Sequence, residues 1–318
     1  LSDLESGRAG GPADGINQIY FYRNKKTKKQ QYNLFITGLY LKHMLKSKET
    51  TILEEQHIIH SQHLHRDVIV DYYLPVYIQD PSSMSLLLIN DGQDLERMGF
   101  RFILGQLYRE KAIKPVVCAA IHAGKDRKME YGTAGFPDYK GRGNMAGLYT
   151  EFIFTELLPF IRNNYQLHSF SEKAFAGFSL GGLMALDIVW AHPHEFNRVG
   201  VFSGSLWWRK RGLEDGYVEE TDRIMHARIR DGNYAPWLKF FFQTGVLDET
   251  ADRNNNGVID SIDDAISLID ELRLKGYKSG EDIYYVEFED GRHDVTTWGR
   301  GMKIFLNWCY GTGRKDAG

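Results

Sequence analysis

The chain has 318 residues, 42% hydrophobic and 25% charged, the balance of an ordinary globular protein with room for one large α/β domain or two small ones. Its formal net charge of −3 leaves no electrostatic footprint for nucleic acid, and no apolar run is long enough to span a membrane. Cys118 and Cys309 lie in apolar stretches and read as buried thiols, so cysteine usage does not decide a compartment.

Residues 1–50 look unlike the rest. Leu1 to Asn17 is rich in glycine and small polar residues with no hydrophobic period, and the whole segment is expected to be a poorly structured leader. Lys25, Lys26, Lys28 and Lys29 form a basic run with only Tyr20 and Tyr22 near it, which reads as a solvated tail. Leu34 to Leu41 is short, is interrupted by Thr37 and Gly38, and makes a poor signal-peptide core. Location is left open, with a periplasmic or secreted site favoured over the cytoplasm.

From Thr51 the pattern tightens into one domain expected to reach residue 311, with 312–318 as a tail. His57 to Leu64 and Val68 to Tyr77 read as early strands. Ser85 to Ile89 is a wholly apolar strand running into Asn90-Asp91-Gly92-Gln93. Phe100 to Arg109 is helical, Pro115 to Ile121 is a buried strand, and a glycine-rich loop follows from Ala123 to Gly147. Tyr149 to Tyr165 is an amphipathic helix. A short strand ends at Lys173 to Ala176, and Gly182 to Trp190 is a helix. Strands at Arg198 to Phe202, Leu238 to Gln243 and Asp282 to Phe288 alternate with helices at Asp264 to Lys275 and Gly299 to Trp308. Apolar strands alternating with helices imply an α/β fold: a mostly parallel sheet covered on both faces, with the active site at the carboxyl ends of its strands.

Gly177-Phe178-Ser179-Leu180-Gly181 sits between one of those strands and one of those helices. A G-x-S-x-G turn in that place is the nucleophile elbow of α/β-hydrolases, where a strained serine stands at a helix N-terminus that favours an oxyanion. A nucleophilic serine needs a base and an orienting carboxylate, in the chain order serine, acid, histidine. Of the downstream histidines, His192 and His194 lie at the wrong end of the sheet and His226 has no strand before it. His293 follows a strand through Glu289-Asp290-Gly291-Arg292 and is the expected base. Asp248, after the strand ending at Gln243, is the expected acid; Glu249 beside it is a competitor. The backbone amides of Leu180 and Gln93 are the expected oxyanion donors.

The chain resembles the "putative esterase" family of enterochelin, feruloyl and acetyl-xylan esterases, esterase D and mycolyltransferases. The likeness covers Ser61 to Trp308. It is carried by Ser61-Gln62-His63-Leu64, Tyr72-Tyr73-Leu74-Pro75, Leu88-Ile89-Asn90-Asp91-Gly92-Gln93, Glu156-Leu157-Leu158-Pro159-Phe160-Ile161, the elbow with its extra Gly182, Phe202-Ser203-Gly204-Ser205-Leu206-Trp207-Trp208, and His293 to Trp298. The resemblance implies a single-domain α/β-hydrolase with Ser179 as nucleophile, His293 as base and Asp248 as acid, acting on a small-molecule ester without an organic cofactor. It implies acyl or aromatic esters of sugars or small alcohols as substrates, with acyl transfer or thioester cleavage on the same triad as alternatives. A non-catalytic carbohydrate-binding module is the rival from a different class. Two departures stand out: Arg292 occupies the place of a usual glycine, and the stretch between acid and histidine is long.

That stretch has its own pattern. Asp252, Asn254, Asn256, Val258, Asp260 and Asp263 occupy places one, three, five, seven, nine and twelve of an EF-hand-type loop, with Gly257 at six and a helix after it. A structural Ca²⁺ that orders the loop carrying Asp248 is expected; the alternative is an asparagine-rich turn that binds nothing. His57, His60, His63 and His65 invite a metal reading, with His57, His63 and His65 on one strand face, but no carboxylate completes a site. His122 is expected to border the pocket, and Tyr131, Trp207, Trp208 and Trp298 to form core or pocket walls.

Overall fold

The apolar runs become the centre of an eight-stranded sheet in the computed structural model, which describes residues 51–76 and 84–313. The strands are β1 (Ile52–Ser61), β2 (Arg66–Pro75), β3 (Ser85–Asn90), β4 (Val116–Ile121), β5 (Lys173–Phe178), β6 (Arg198–Phe202), β7 (Lys239–Leu247) and β8 (Ile283–Arg292), in the spatial order β1-β2-β4-β3-β5-β6-β7-β8. β1–β2 and β2–β4 pair antiparallel and every later pairing is parallel. The leader, its basic run, the Leu34 to Leu41 stretch, Tyr77 and residues 314–318 lie outside the described residues. Thr312, within the expected tail, bonds Ala112 O through its amide.

β3 and β4 are buried at every position, because helices cover both faces of a parallel sheet. Alternate residues feed two cores: Leu86 and Leu88 join one cluster, Leu87 and Ile89 the other. The first cluster is roofed by the helices α2 (146–165), α3 (Leu180–Ala191), α4 (Ile224–Asp231) and α5 (Asp260–Lys275). The second is covered by α1 (Phe100–Arg109) and α6 (Val295–Tyr310). Along α6, Trp298, Met302, Phe305, Leu306 and Cys309 recur at helical spacing, and each large apolar side chain so buried contributes roughly 1.5–3 kcal/mol. Cys118 and Cys309 are both free and buried. No helix among the described residues is long and apolar enough to cross a membrane.

Several boundaries differ from expectation. The first two strands form a hairpin whose turn is Gln62 to His65, closed by the Leu64 amide on Ser61 Oγ at 3.0 Å, with His65 at φ 51°. His63 and His65 therefore leave the strand, so they do not share a face with His57. Within α2, Phe152–Leu157 is π-helical, just before Pro159, which has no N–H to offer the carbonyl one turn back. β7 and β8 both run further than their apolar patterns, and Glu289 to Arg292 is strand rather than loop.

Candidate active site

β5 ends at Phe178 and α3 begins at Leu180, which leaves Ser179 alone between them with φ 54° and ψ −122°. That backbone is strained for a residue with a side chain. The Ser179 amide donates to the Phe202 carbonyl at 2.8 Å, tying the turn to β6. A Cβ on Gly177 would fall on the Gly181 carbonyl, and one on Gly181 would lie 2.5 Å from Asp91 Oδ2, so both flanking glycines are required by close approach. The neighbouring strands β3, β5 and β6 are followed by Asp91, Ser179 and Ser203, at φ 61°, 54° and 43°. Three strained non-glycine residues thus stand in a row along the carboxyl edge of the sheet.

Asp248 and His293 follow β7 and β8, and the pairing of Leu247 with Arg292 sets them on adjacent strand ends. Asp248 Oδ2 accepts from the Gly245 amide at 3.1 Å, while Oδ1 is buried with no partner at hydrogen-bond distance. Burial raises the Asp248 pKa above the ordinary carboxylate value; the nearby Ser203 hydroxyl, the Gly245 amide and His293 pull it back. His293 is open to solvent on one side and rests edge-on against Trp298, ring centroids 5.2 Å apart. Lost hydration lowers its pKa, Asp248 opposes that shift, and Arg127 adds to it. Trp298 in turn stacks on Phe178 at 5.1 Å and donates its indole N–H to Ser203 Oγ at 3.0 Å. Ser179 Oγ lies 3.4 Å from the hydroxyl of Ser205. Among the described residues no hydrogen bond of 3.5 Å or less joins His293 to Ser179 or to Asp248. Glu249 engages Ser261 in α5, and Asp248 is the carboxylate that acts on His293 from beyond its own segment.

Gln93 lies on the 3₁₀ turn Gly92–Asp94 directly after β3, and its Oε1 accepts from the Ala123 amide at 3.0 Å. Leu180 heads α3, where the first amides have no intrahelical acceptor. Two further residues hold this turn to the elbow. Asn90 Nδ2 donates to the Gly181 carbonyl at 2.8 Å, and its Oδ1 accepts from Tyr149 Oη at 2.6 Å. Asp91 accepts two hydrogen bonds from Arg127, at 2.6 and 2.8 Å. Arg127 sits on a single helical turn within the glycine-rich loop, where no periodicity marks it.

The loop 252–263 draws four of its six expected ligands together. Asn254 Nδ2 lies 3.0 Å from Asp263 Oδ2, Asn256 Nδ2 lies 3.4 Å from Asp263 Oδ1, and Asp252 accepts from the amides of Asn256 and Gly257. Asp260 instead faces Arg253, whose amide donates to it at 2.8 Å. Val258 bonds Asn256 Oδ1 through its amide. Places one, three, five and twelve converge; the Asn254 and Asn256 side-chain oxygens accept the amides of Asn256 and Val258, and each keeps a second lone pair of the kind a hard cation takes. His122 Nε2 pairs with Asp71 Oδ2 at 2.6 Å, His60 with Asp67, and His63 with Thr155. Trp208 and Tyr131 are buried in the core; Trp207 is half-buried with the guanidinium carbons of Arg142 and Arg209 over its ring, at 4.9 and 5.8 Å.

The family model described as "Putative esterase" matches residues 61–304. The uncharacterized protein YbbA of Bacillus subtilis is 23% identical over 248 residues, 76% of this chain and 92% of its own length. Among solved structures, the enterochelin esterase of Shigella flexneri is 20% identical with a TM-score of 0.61, over 82% of this chain and 59% of that one. The siderophore hydrolase EstB of Aspergillus nidulans is 18% identical with a TM-score of 0.59, over 80% and 94%. The chain thus spans 59% of the enterochelin esterase, and likeness at these identities is a likeness of fold.

Proposed function

The chain belongs to the "Putative esterase" family, and from that premise we propose that it is a carboxylic ester hydrolase working through Ser179, His293 and Asp248. In this reading His293 takes the Ser179 proton as the hydroxyl oxygen attacks the ester carbonyl. The amides of Leu180 and Gln93 hold the oxyanion. His293 then gives that proton to the leaving alcohol, and an acyl-enzyme remains. Water, deprotonated by the same imidazole, adds to the acyl carbon; His293 returns the proton to Ser179 as the acid leaves. The observation that carries the proposal is the strained Ser179 at the carboxyl end of β5, together with an unpaired buried oxygen of Asp248 after β7 and His293 after the adjoining β8. Relay hydrogen bonds are commonly loose before substrate arrives and tighten in the complex.

The substrates we propose are acyl and aromatic esters of small alcohols. Trp207, two residues beyond Ser205, has two guanidiniums over its ring, and their charge suits an aromatic acyl group bearing electron-rich oxygens. The fold likeness to enterochelin esterase and siderophore hydrolase points the same way. Ser179→Ala is expected to lower p-nitrophenyl acetate turnover by about 10⁴-fold or more. Equal rates for the two proteins would refute the nucleophile. A panel of acetyl, feruloyl and glutathione thioesters then separates ester from thioester cleavage.

We further propose that Asp252, Asn254, Asn256, Val258, Asp260 and Asp263 hold a structural Ca²⁺, on the convergence of four of these side chains. The expected outcome is a melting temperature that falls on chelation and recovers with CaCl₂, a ligand at 100 times its Kd stabilising by about 2.7 kcal/mol. An unchanged melting temperature, or an unchanged response in Asp252→Ala, speaks against the site.

A further inference from the structure

Beneath the elbow lies an ion pair that the relay does not use. Asp91 is 2% exposed, and Arg127 grips it through Nε and Nη2 in the two-pronged geometry that only a guanidinium offers a carboxylate. Nη2 also reaches the carbonyl of Phe178, the residue before Ser179, at 3.4 Å. The Tyr131 ring packs 5.2 Å from the guanidinium carbon. The Asp91 carboxylate presses on Gly181, where no Cβ fits. One arginine on the loop after β4 therefore touches the ends of both β3 and β5.

Those two ends carry the two amides assigned to the oxyanion, Gln93 on one and Leu180 on the other. Amides on separate segments stabilise an oxyanion only if their separation is held before the reaction begins. Asp91 is itself strained at φ 61°, so the turn needs an outside tie to stay in this shape. We propose that Arg127 is a positioning residue of the ester-hydrolysing site, clasping Asp91 so that the Gln93 turn and the elbow keep a fixed spacing. The inference rests on the reading of Ser179 as nucleophile. Arg127 has a second effect through its charge. The charged groups acting on the His293 imidazole are Asp248, Arg127 and Asp294, and the guanidinium favours the neutral ring that accepts a proton.

Spacing and charge separate by substitution. Arg127→Lys keeps the charge and loses the fork; Arg127→Gln loses both; Asp91→Asn breaks the fork from the other side. The independent Asn90 tie to Gly181 and Tyr149 remains in each. With p-nitrophenyl acetate, and rates counted per titratable active site, kcat is expected to fall about 10- to 100-fold in all three, with KM within about threefold, the pattern of a lost transition-state donor. The acid-side midpoint of kcat/KM should stay in place in Arg127→Lys and rise in Arg127→Gln. Wild-type kcat per active site in any of the three variants overturns the clasp, and an unmoved midpoint in Arg127→Gln overturns the charge effect. Should Arg127→Gln fail to fold, the kcat of Arg127→Lys and Asp91→Asn decides. Ser179→Ala is measured alongside: if it still turns over, the nucleophile reading has failed rather than the clasp.

Discussion

In the proposed relay His293 serves as a base only while its imidazole is neutral, so its environment would set the lower pH limit of activity. Lost hydration holds its pKa below the ordinary 6.5, with Asp248 opposing and Arg127 assisting. We expect kcat/KM to rise with pH through a midpoint below 6.5 and to level off above it. Asp248→Asn removes the larger of the two carboxylate influences that raise that pKa, Asp294 being the other; its midpoint should fall further while kcat drops by about 10⁴-fold, since the ring loses its orienting partner. A pH–rate series on both proteins checks the pair of effects, and an acid limb above 6.5 in the wild type contradicts the assignment. At this scale the sequence was legible where chemistry demands a local context. Ser179 is marked by its glycines, and His293 and Asp248 by following strands. Arg127 was not, because its fork reaches Asp91 across 36 positions from a loop without period.

The elbow is an element whose shape depends on two missing side chains, and they fail differently. A methyl on Gly181 would meet Asp91 Oδ2 at 2.5 Å and Asn90 Cβ at 3.0 Å, both side-chain atoms of the oxyanion turn. Gly181→Ala should therefore fold and lose activity, as the turn shifts to make room. A methyl on Gly177 would meet backbone at Gly181 and Gly182, which has no rotamer to yield. Gly177→Ala should lower the melting temperature, by about 1.5–2 °C for each kcal/mol in a chain of this size. Thermal melts beside esterase rates distinguish the two; equal melts for both variants contradict this division. Element types were legible from apolar period and most ends were not. Gly299 and Gly301 hid the first turn of α6, whose true start is capped by Asp294 accepting from the Thr297 amide at 2.9 Å. The last residues of β8 are polar because that strand lies at the sheet edge, where ladder pairing rather than burial extends it.

Across the whole molecule, alternating strands and helices announced a covered parallel sheet, but strand order is set by crossovers that leave no local trace. Nor does sequence show that α3, which begins directly after Ser179, is buried along all but its last residue. A helix so enclosed must satisfy any polar group it carries, and Asp187 is 1% exposed in its middle. Arg228 of α4 pairs with it at 2.8 Å, and the Ala134 amide donates to it at 2.8 Å. Burial still dominates and pushes its pKa from 3.8 up to about 6. A raised carboxyl pKa means that the folded state binds the proton more tightly than the unfolded chain. Its contribution to stability is complete below pH 3.8 and is lost as pH rises through about 6, a full swing of about 3 kcal/mol. Roughly half of that swing falls between pH 5 and pH 8. Asn at 187 cannot ionise, so any loss from the altered Arg228 contact is the same at both pH values. Measured by urea unfolding, Asp187→Asn should gain on the wild type by about 1–2 kcal/mol between pH 5 and pH 8. A difference that stays constant with pH would mean that Arg228 fully compensates the charge, and that the enclosed helix following Ser179 bears no electrostatic penalty.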